Sequence, residues 1–216
     1  MIAMVVATAV VLAMQGGRSR EATPGEPRII GLVELPRVWD ADAPSPATAA
    51  RLSDQPMPIH VAPLLSSAVS DWVSSPSDIE SREHGYEAVS AAVYATQGGW
   101  FRIRVHGRLG WIPPGEAGRY RRIEELLRDG LTHLTSAWDR RVASEPGATP
   151  VLVPRHSNDS VHVSEMRRVS ADLWLKVDFL SPGHCQSAPP RVASTGWIPA
   201  YNKAGSLTVW FFSRGC

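Results

Sequence analysis

The sequence predicts a mainly β protein built from two small modules in tandem, with one short connecting helix. Three observations lead to this fold class: an internal duplication, a composition rich in turn-forming residues, and tryptophans that alternate with apolar residues in short runs. The chain has 216 residues, among them 17 Gly, 18 Pro and 8 Trp. This composition is typical of short strands joined by many turns, because Gly and Pro interrupt long helices.

The duplication is visible when anchor residues, rather than whole segments, are compared between the two halves. Four sets of anchors occur in the same order in both halves. They are Leu32, Leu35, Trp39 and Asp40 with Leu131, Leu134, Trp138 and Asp139; Pro58, Val61 and Val69 with Pro150, Val153 and Val161; WFRI at 100–103 with WLKV at 174–177; and GWIP at 110–113 with GWIP at 196–199. Since Trp is a rare residue, collinear matches that include it favour duplication over chance. Because Trp100, Trp111, Trp174 and Trp197 alternate with apolar neighbours, we expect them to fill the cores of the modules.

The anchors place module one at residues 27–117 and module two at residues 131–216. The distance from Val69 to Trp100 is longer than that from Val161 to Trp174, which predicts a loop insertion in module one. Between the next two anchors the order is reversed, because Trp174 and Trp197 are farther apart in the chain than Trp100 and Trp111. We therefore expect an insertion in module two before its GWIP segment. Insertions in surface loops cost little, and the two cores are therefore expected to superimpose.

Two local features have clear signatures. The pair His106-Gly107 lies between two strand-like runs and predicts a two-residue hairpin turn, because Gly and His tolerate a positive φ. Residues 118–130, GRYRRIEELLRDG, predict the connecting helix, most clearly from 119 to 129. Tyr120, Ile123 and the pair Leu126 and Leu127 share one helical face in this interpretation, and Gly130 ends the helix.

The beginning of the chain predicts export. Residues 1–14 are uncharged and apolar, too short to span a bilayer, and small residues follow them. We interpret residues 1–17 as a signal peptide and residues 18–26 as a tether; the alternative is a buried first strand or helix. Export implies a periplasmic or extracellular location and no stable membrane span after processing.

The two cysteines agree with export. Cys185 and Cys216 make an even count, which in an oxidising compartment indicates a disulfide. We expect the bridge within one chain, from the module-two insertion to the chain end. An intermolecular bridge and a pair of free thiols remain the alternatives.

Charge and motifs argue against several functions. Lys plus Arg (22) nearly balance Asp plus Glu (21), so no basic surface for nucleic acid is expected. The sequence has no GxSxG, no GxxxxGK[ST] and no HExxH motif. A metal site formed by His184, Cys185 and Cys216 lacks a fourth ligand. We therefore expect no enzyme activity, no cofactor and no metal.

Two segments carry a resemblance to a known family. GGWFRIRVHGRLGWIP and LWLKVDFLSPGHCQSAPPRVASTGWIPAYN resemble the bacterial SH3-like domains of exported proteins. The resemblance implies two small five-stranded β-barrels in tandem. It also implies binding of cell-wall peptides or protein partners rather than catalysis. A purely structural interaction subunit and a hydrolase without a recognisable motif are the competing hypotheses.

The same resemblance suggests candidate ligand-binding residues. They are Trp111, Pro113, Trp197, Pro199 and Tyr201. In the eukaryotic domains a proline-rich peptide also contacts a Trp before the strand Trp and a Tyr three residues after the Pro. Here Gly99 and Leu173 stand at the Trp position, and Glu116 and Asn202 stand at the Tyr position. A polyproline groove of that kind is therefore expected to be altered or absent.

Overall fold

A computed structural model describes residues 27–39, 55–85, 88–181 and 190–212. The predicted signal peptide (1–17) and tether (18–26) lie outside the described residues, as do Cys185 and Cys216 with their predicted disulfide. None of the helices in the described ranges is long and apolar enough to cross a membrane.

The described part of the chain is mainly β, as predicted, with one short α-helix, α1, at Ile123–Asp129. The strands are β1 Gly31–Val33, β2 Met57–His60, β3 Val69–Val73, β4 Ser81–Gly85, β5 Ala88–Gln97, β6 Trp100–Val105, β7 Arg108–Ile112, β8 Tyr120–Arg122, β9 Thr132–Leu134, β10 Arg141–Val142, β11 Val151–Leu152, β12 Ser160–Val169, β13 Asp172–Ser181, β14 Arg191–Pro199 and β15 Val209–Phe211. Short 3-10 helices lie at Pro76–Asp78 and Pro114–Glu116.

The two halves of the chain repeat one order of strands. In the first half the order is β3-β2-β7-β6-β5-β1-β8, and β4 pairs with β5 beside this path. In the second half β14-β13-β12-β9-β15 form a sheet, and β10 and β11 form a hairpin. This hairpin is linked to β14 by the bridge between Ala143 and Trp197, as β2 is linked to β7 by His60 and Trp111. The path β11-β10-β14-β13-β12-β9-β15 therefore matches that of the first half.

The strand register agrees with the anchors that contain tryptophan. Arg102 is opposite Trp111 in the first half, and Lys176 is opposite Trp197 in the second. Counting back two residues from these basic positions gives Trp100 and Trp174, so the two pairs of Trp occupy matching strand positions. The turn at His106-Gly107 also forms as predicted, with φ of 47° and 79°.

A bulge lies at the same place in both halves. The pairing of β5 with β6 shifts between Val93 and Ala95, and that of β12 with β13 shifts between Val163 and Glu165. In each half the residue after the shift is opposite the basic residue of the Trp-containing strand. A bulge bends and twists its strand, so a shared bulge gives the two sheets the same local curvature.

One of the four anchor sets was wrong. Pro58, Val61 and Val69 do not match Pro150, Val153 and Val161. The contacts of the GWIP glycines show the true correspondence: Ile59 lies against Gly110, and Val142 lies against Gly196. β10 is thus the counterpart of β2, while Val161 lies on β12. Pro and Val are common, so their spacing alone did not identify the pairing partners.

The predicted connecting helix at 118–130 is correct only in its second part. Tyr120–Arg122 is strand β8, which pairs with β1, and the helix begins at Ile123. Here tertiary pairing with β1 prevails over the helical pattern of the sequence. The inward face of α1 was predicted correctly, because Ile123 and the pair Leu126 and Leu127 are buried.

Two apolar cores hold the described residues together. The first contains side chains of β1–β3 and β5–β7, among them Ile59 and Ile103. The second contains α1 and side chains of β9, β12–β15 and also Leu32 from β1. A residue of the first half therefore lies in the core of the second, which couples the two halves.

The Trp residues of the paired strands do not form these cores, contrary to expectation. Phe101, Ile103 and Ile112 face the first core, and Trp100 and Trp111 alternate with them on the opposite face. Arg102 lies over the ring of Trp111 at 6.0 Å, and on the other half Arg167 lies over Trp197 at 4.9 Å. The tryptophans of the two cores are instead Trp39 in the first and Trp138 in the second, and the other core side chains are mainly aliphatic.

Candidate binding groove

A groove of about 590 Å³ lies on the second half, at the point where residues before β1 approach it. Its lining residues are Arg28, Ala137, Asp139, Asp172, Trp174, Pro199, Tyr201, Asn202, Lys203, Ala204 and Thr208. The groove thus combines aromatic, apolar and charged side chains, which is the usual make-up of a ligand site.

The apolar floor is held by the strand ends. Trp174 is partly exposed near the start of β13, and Pro199 ends β14. The two residues are cross-strand partners. Thr208 fixes this end of the strand by donating its hydroxyl to the carbonyl of Pro199 at 2.5 Å. A Trp and a Pro side by side on paired strands form a rigid apolar surface.

The loop beside Pro199 is ordered by its own hydrogen bonds. The side-chain oxygen of Asn202 accepts from the backbone N–H groups of Ala204 and Ser206, at 3.0 and 2.9 Å. Gly205 has a φ of 75°, which closes the turn. Lys203 at its tip is exposed. The turn therefore presents a cationic side chain at the rim of the groove.

The side chain of Tyr201, one of the predicted ligand residues, makes contacts within the protein. Its hydroxyl donates to the carbonyl of Ile29 at 2.7 Å, and the guanidinium of Arg28 lies 5.3 Å from its ring centre. Arg28 also pairs with Asp172 at 3.2 Å. Burial raises the pKa of Tyr201, so it remains a neutral donor. Tyr201 thus joins the two halves as well as lining the groove.

The corresponding Trp on the first half is not accessible. Trp100, the counterpart of Trp174, is buried and meets the ring of His60 edge-on at 5.3 Å. Arg37 pairs with Glu116 at 2.7 Å across the segment that follows Pro113. The two similar strand arrangements therefore differ in whether the Trp is accessible, since Pro113 and Pro199 are both partly exposed.

The other predicted ligand residues do not line this groove. Trp111 and Pro113 belong to the first half, where Pro113 precedes the 3-10 helix at Pro114–Glu116. Trp197 is buried on the outer face of its sheet, beneath Arg167. Of the five, Pro199 and Tyr201 lie together in the groove. Trp174 joins them, a residue that the alternating pattern assigned to the core.

Arg28, Asp139 and Asp172 were not identified as site residues from the sequence, although Asp139 was one of the anchors. Arg28 precedes β1, Asp139 follows the Trp138 anchor, and Asp172 begins β13. They lie on segments far apart in the chain, so only the fold brings them to one site. The repetition of Asp40 as Asp139 beside an anchor Trp was the one available signal for any of them.

A separate ionic cluster lies on the first half. The two ring nitrogens of His106 lie 3.1 Å from Asp71 and 3.2 Å from Asp78. Only the imidazolium form can donate to both carboxylates at once. Hydrogen bonds to Asp71 and then Asp78 raise the pKa of His106. The pKa of Asp71 is lowered, first by the Trp72 N–H and then by His106, with Arg108 adding to the effect.

This cluster predicts that stability depends on pH. Because the pKa of His106 is raised in the folded state, its contribution is fully present below the ordinary value of 6.5 and is lost as the pH rises through the raised value. We expect the difference in thermal stability between wild type and His106→Asn to shrink across that window. NMR titration of the His106 ring checks the pKa directly. An unshifted His106 pKa, or an equal stability difference at every pH, contradicts this assignment.

In the ranges that the structure describes, no three His, Cys, Asp or Glu side chains converge in a way that would hold a metal ion. Comparison of the chain with protein-family models, with curated proteins and with solved structures gives no match in any of the three.

Proposed function

We propose that this chain is a non-catalytic binding or scaffolding protein of the cell envelope or exterior. In this proposal two SH3-like β-barrel modules form its body, and the groove on the second half holds a peptide, cell-wall or protein ligand. The export part rests on the apolar residues 1–14 and the small residues that follow them.

The repeated strand path supports the SH3-like part of the proposal. The resemblance implies five-stranded units, and each half contains a continuous run of five strands, β8-β1-β5-β6-β7 and β15-β9-β12-β13-β14. In each half a hairpin lies in the chain between the first and second strands of the run. Hairpin β2-β3 lies between β1 and β5, and hairpin β10-β11 lies between β9 and β12. The two hairpins contact the end of the run in the same way, through the GWIP tryptophan.

The observation that carries the binding function is the difference between the halves at equivalent positions. The second half has a partly exposed Trp174 beside Pro199 in a groove, while the first half has a buried Trp100 and the Arg37–Glu116 ion pair. A partly exposed aromatic surface with convergent polar groups suits a ligand site. We therefore assign ligand binding to the second half and a structural role to the first.

Photo-crosslinking in the producing cells tests this assignment. We replace Lys203, which is exposed at the rim of the groove, with p-benzoylphenylalanine and irradiate intact cells. The expected result is a discrete adduct in the envelope fraction. The control carries the same photoreactive residue at Glu145, which is exposed and does not line the groove. Equal adducts at both positions, or none at Lys203, contradict binding in the groove.

A purely structural subunit is the second candidate, and one feature favours it. Large apolar side chains are exposed along the β2-β3 hairpin, including Leu65 at 73% and Trp72 at 51% exposure. The others are Val61, Leu64 and Val69. A contiguous apolar surface of this kind is typical of contact with another protein. In that case the hairpin, and not the groove, would carry the interaction.

A further inference from the structure

One part of the groove, formed by Asp172 and Tyr201, is occupied by the guanidinium of Arg28. Arg28 pairs with Asp172 at 3.2 Å, and its guanidinium lies 5.3 Å from the centre of the Tyr201 ring. A carboxylate beside an aromatic face is the usual setting for a guanidinium or ammonium group. The cation here comes from the chain itself, from the segment directly before β1.

The subsite belongs to the second half alone. When the two halves are aligned with Trp174 at the position of Trp100, Asp172 corresponds to Gly98. With Pro199 at the position of Pro113, Tyr201 corresponds to Gly115. The first half therefore has neither the carboxylate nor the aromatic ring. Both groups that hold the cation are found only in the half whose groove is accessible.

We propose that Asp172 and Tyr201 form a cation subsite of the groove, which Arg28 occupies in cis and for which a basic ligand competes. This inference rests on the proposed binding function and adds the class of ligand, a peptide or other molecule that carries a guanidinium or ammonium group. The groove contains Arg28 and Lys203 against Asp139 and Asp172. Without the Arg28 charge its carboxylates outnumber its cations, which favours a cationic ligand.

Arg28 is held by exchangeable contacts. Its side chain is 40% exposed and that of Asp172 is 59% exposed, so the ion pair is accessible to solvent. Exposed pairs contribute little because water and salt screen them. The position of the segment is fixed separately, since the Ile29 carbonyl accepts from Tyr201 and the Ile30 N–H donates to Val93 at 2.8 Å. The guanidinium can therefore leave while the backbone stays in place.

The test is an NMR titration of the full chain with N-acetyl-arginine amide, following the backbone signals of Asp172 and Tyr201. Arg28→Gln is expected to bind the probe about fivefold more tightly than wild type, because an intramolecular competitor of this strength is removed. Adding Asp172→Asn to Arg28→Gln should abolish the gain. Arg119→Gln, which removes one exposed charge away from the groove, should bind as wild type does.

Equal binding by wild type and Arg28→Gln overturns the proposal, as does a response at other residues. A thermal melt of each variant verifies that it is folded. The outcome is separable from that of the crosslinking experiment. An adduct at Lys203 without arginine binding leaves the groove as a site for a non-basic ligand, whereas arginine binding without an adduct retains the cation subsite and contradicts the envelope-binding function.

Discussion

Gly196→Ala is expected to destabilise the protein by about 1–3 kcal/mol, and Gly110→Ala by a similar amount, because each forces a methyl group into packed atoms. A Cβ on Gly196 would meet the side chain of Val142 and the carbonyl of Ala143. A Cβ on Gly110 would meet Ile59 and the carbonyl of His60. The first residue of each GWIP segment is thus Gly because the hairpin strand crosses directly over it.

Gly115→Ala is the matched control for these two variants. Gly115 has open space where its Cβ would be, and it does not have a positive φ. We expect the free energy of unfolding of the Gly115→Ala variant to differ from that of wild type by no more than about 0.5 kcal/mol. Urea denaturation of the three variants measures the difference. If Gly196→Ala is as stable as Gly115→Ala, the contact of β10 with β14 is not as close as described.

Leu32→Ala is expected to cost about 2–5 kcal/mol, the usual range for truncating a fully buried Leu. Leu32 is 1% exposed and packs with α1 and the second core, although it lies on β1 of the first half. Truncation of Leu32 should therefore destabilise the second half. Hydrogen exchange of the β12 and β13 amides, measured beside urea denaturation, is expected to become faster.

Leu131 provides a control of the same residue type at the corresponding anchor position. It is 39% exposed, and Leu131→Ala is expected to cost about 0.5 kcal/mol. Faster exchange confined to the first-half strands in Leu32→Ala would contradict the shared core. Equal losses in the two variants would contradict the burial of Leu32.

The features that could be predicted from sequence were those set by local pattern or by Trp spacing. The hairpin turn at His106-Gly107, the matched positions of Trp100 and Trp174, and the buried face of α1 are confirmed. Each depends on a few neighbouring residues whose types restrict the backbone or the face. Trp anchors were informative because a chance match of a rare residue is uncommon.

The features that could not be predicted depend on partners far away in the chain. Tyr120–Arg122 has a helical pattern but pairs with β1. Ser81–Gly85, sequence SREHG, has no strand signature and becomes β4 by pairing with β5 inside the predicted insertion. β-strand formation depends strongly on such tertiary context.

The groove was predicted in part for the same reason. Pro199 and Tyr201 were identified through the GWIP segment that they follow, whereas Arg28 and Asp172 reach the site from the segment before β1 and from the start of β13. Sequence also assigned Trp174 to the core, since alternation alone does not say which face of a sheet is covered. Which face of the sheet is buried depends on the elements that pack against it.

The most direct test of the groove as the binding site compares substitutions of the partly exposed Trp174 and the exposed Trp72 for binding to isolated cell envelopes. Trp174→Ala should weaken binding about tenfold or more, as is usual when a central aromatic contact is removed. Trp72→Ala, on the apolar hairpin of the first half, should bind as wild type does. Loss of binding in Trp72→Ala with full binding in Trp174→Ala would contradict the account and assign the interaction to the hairpin.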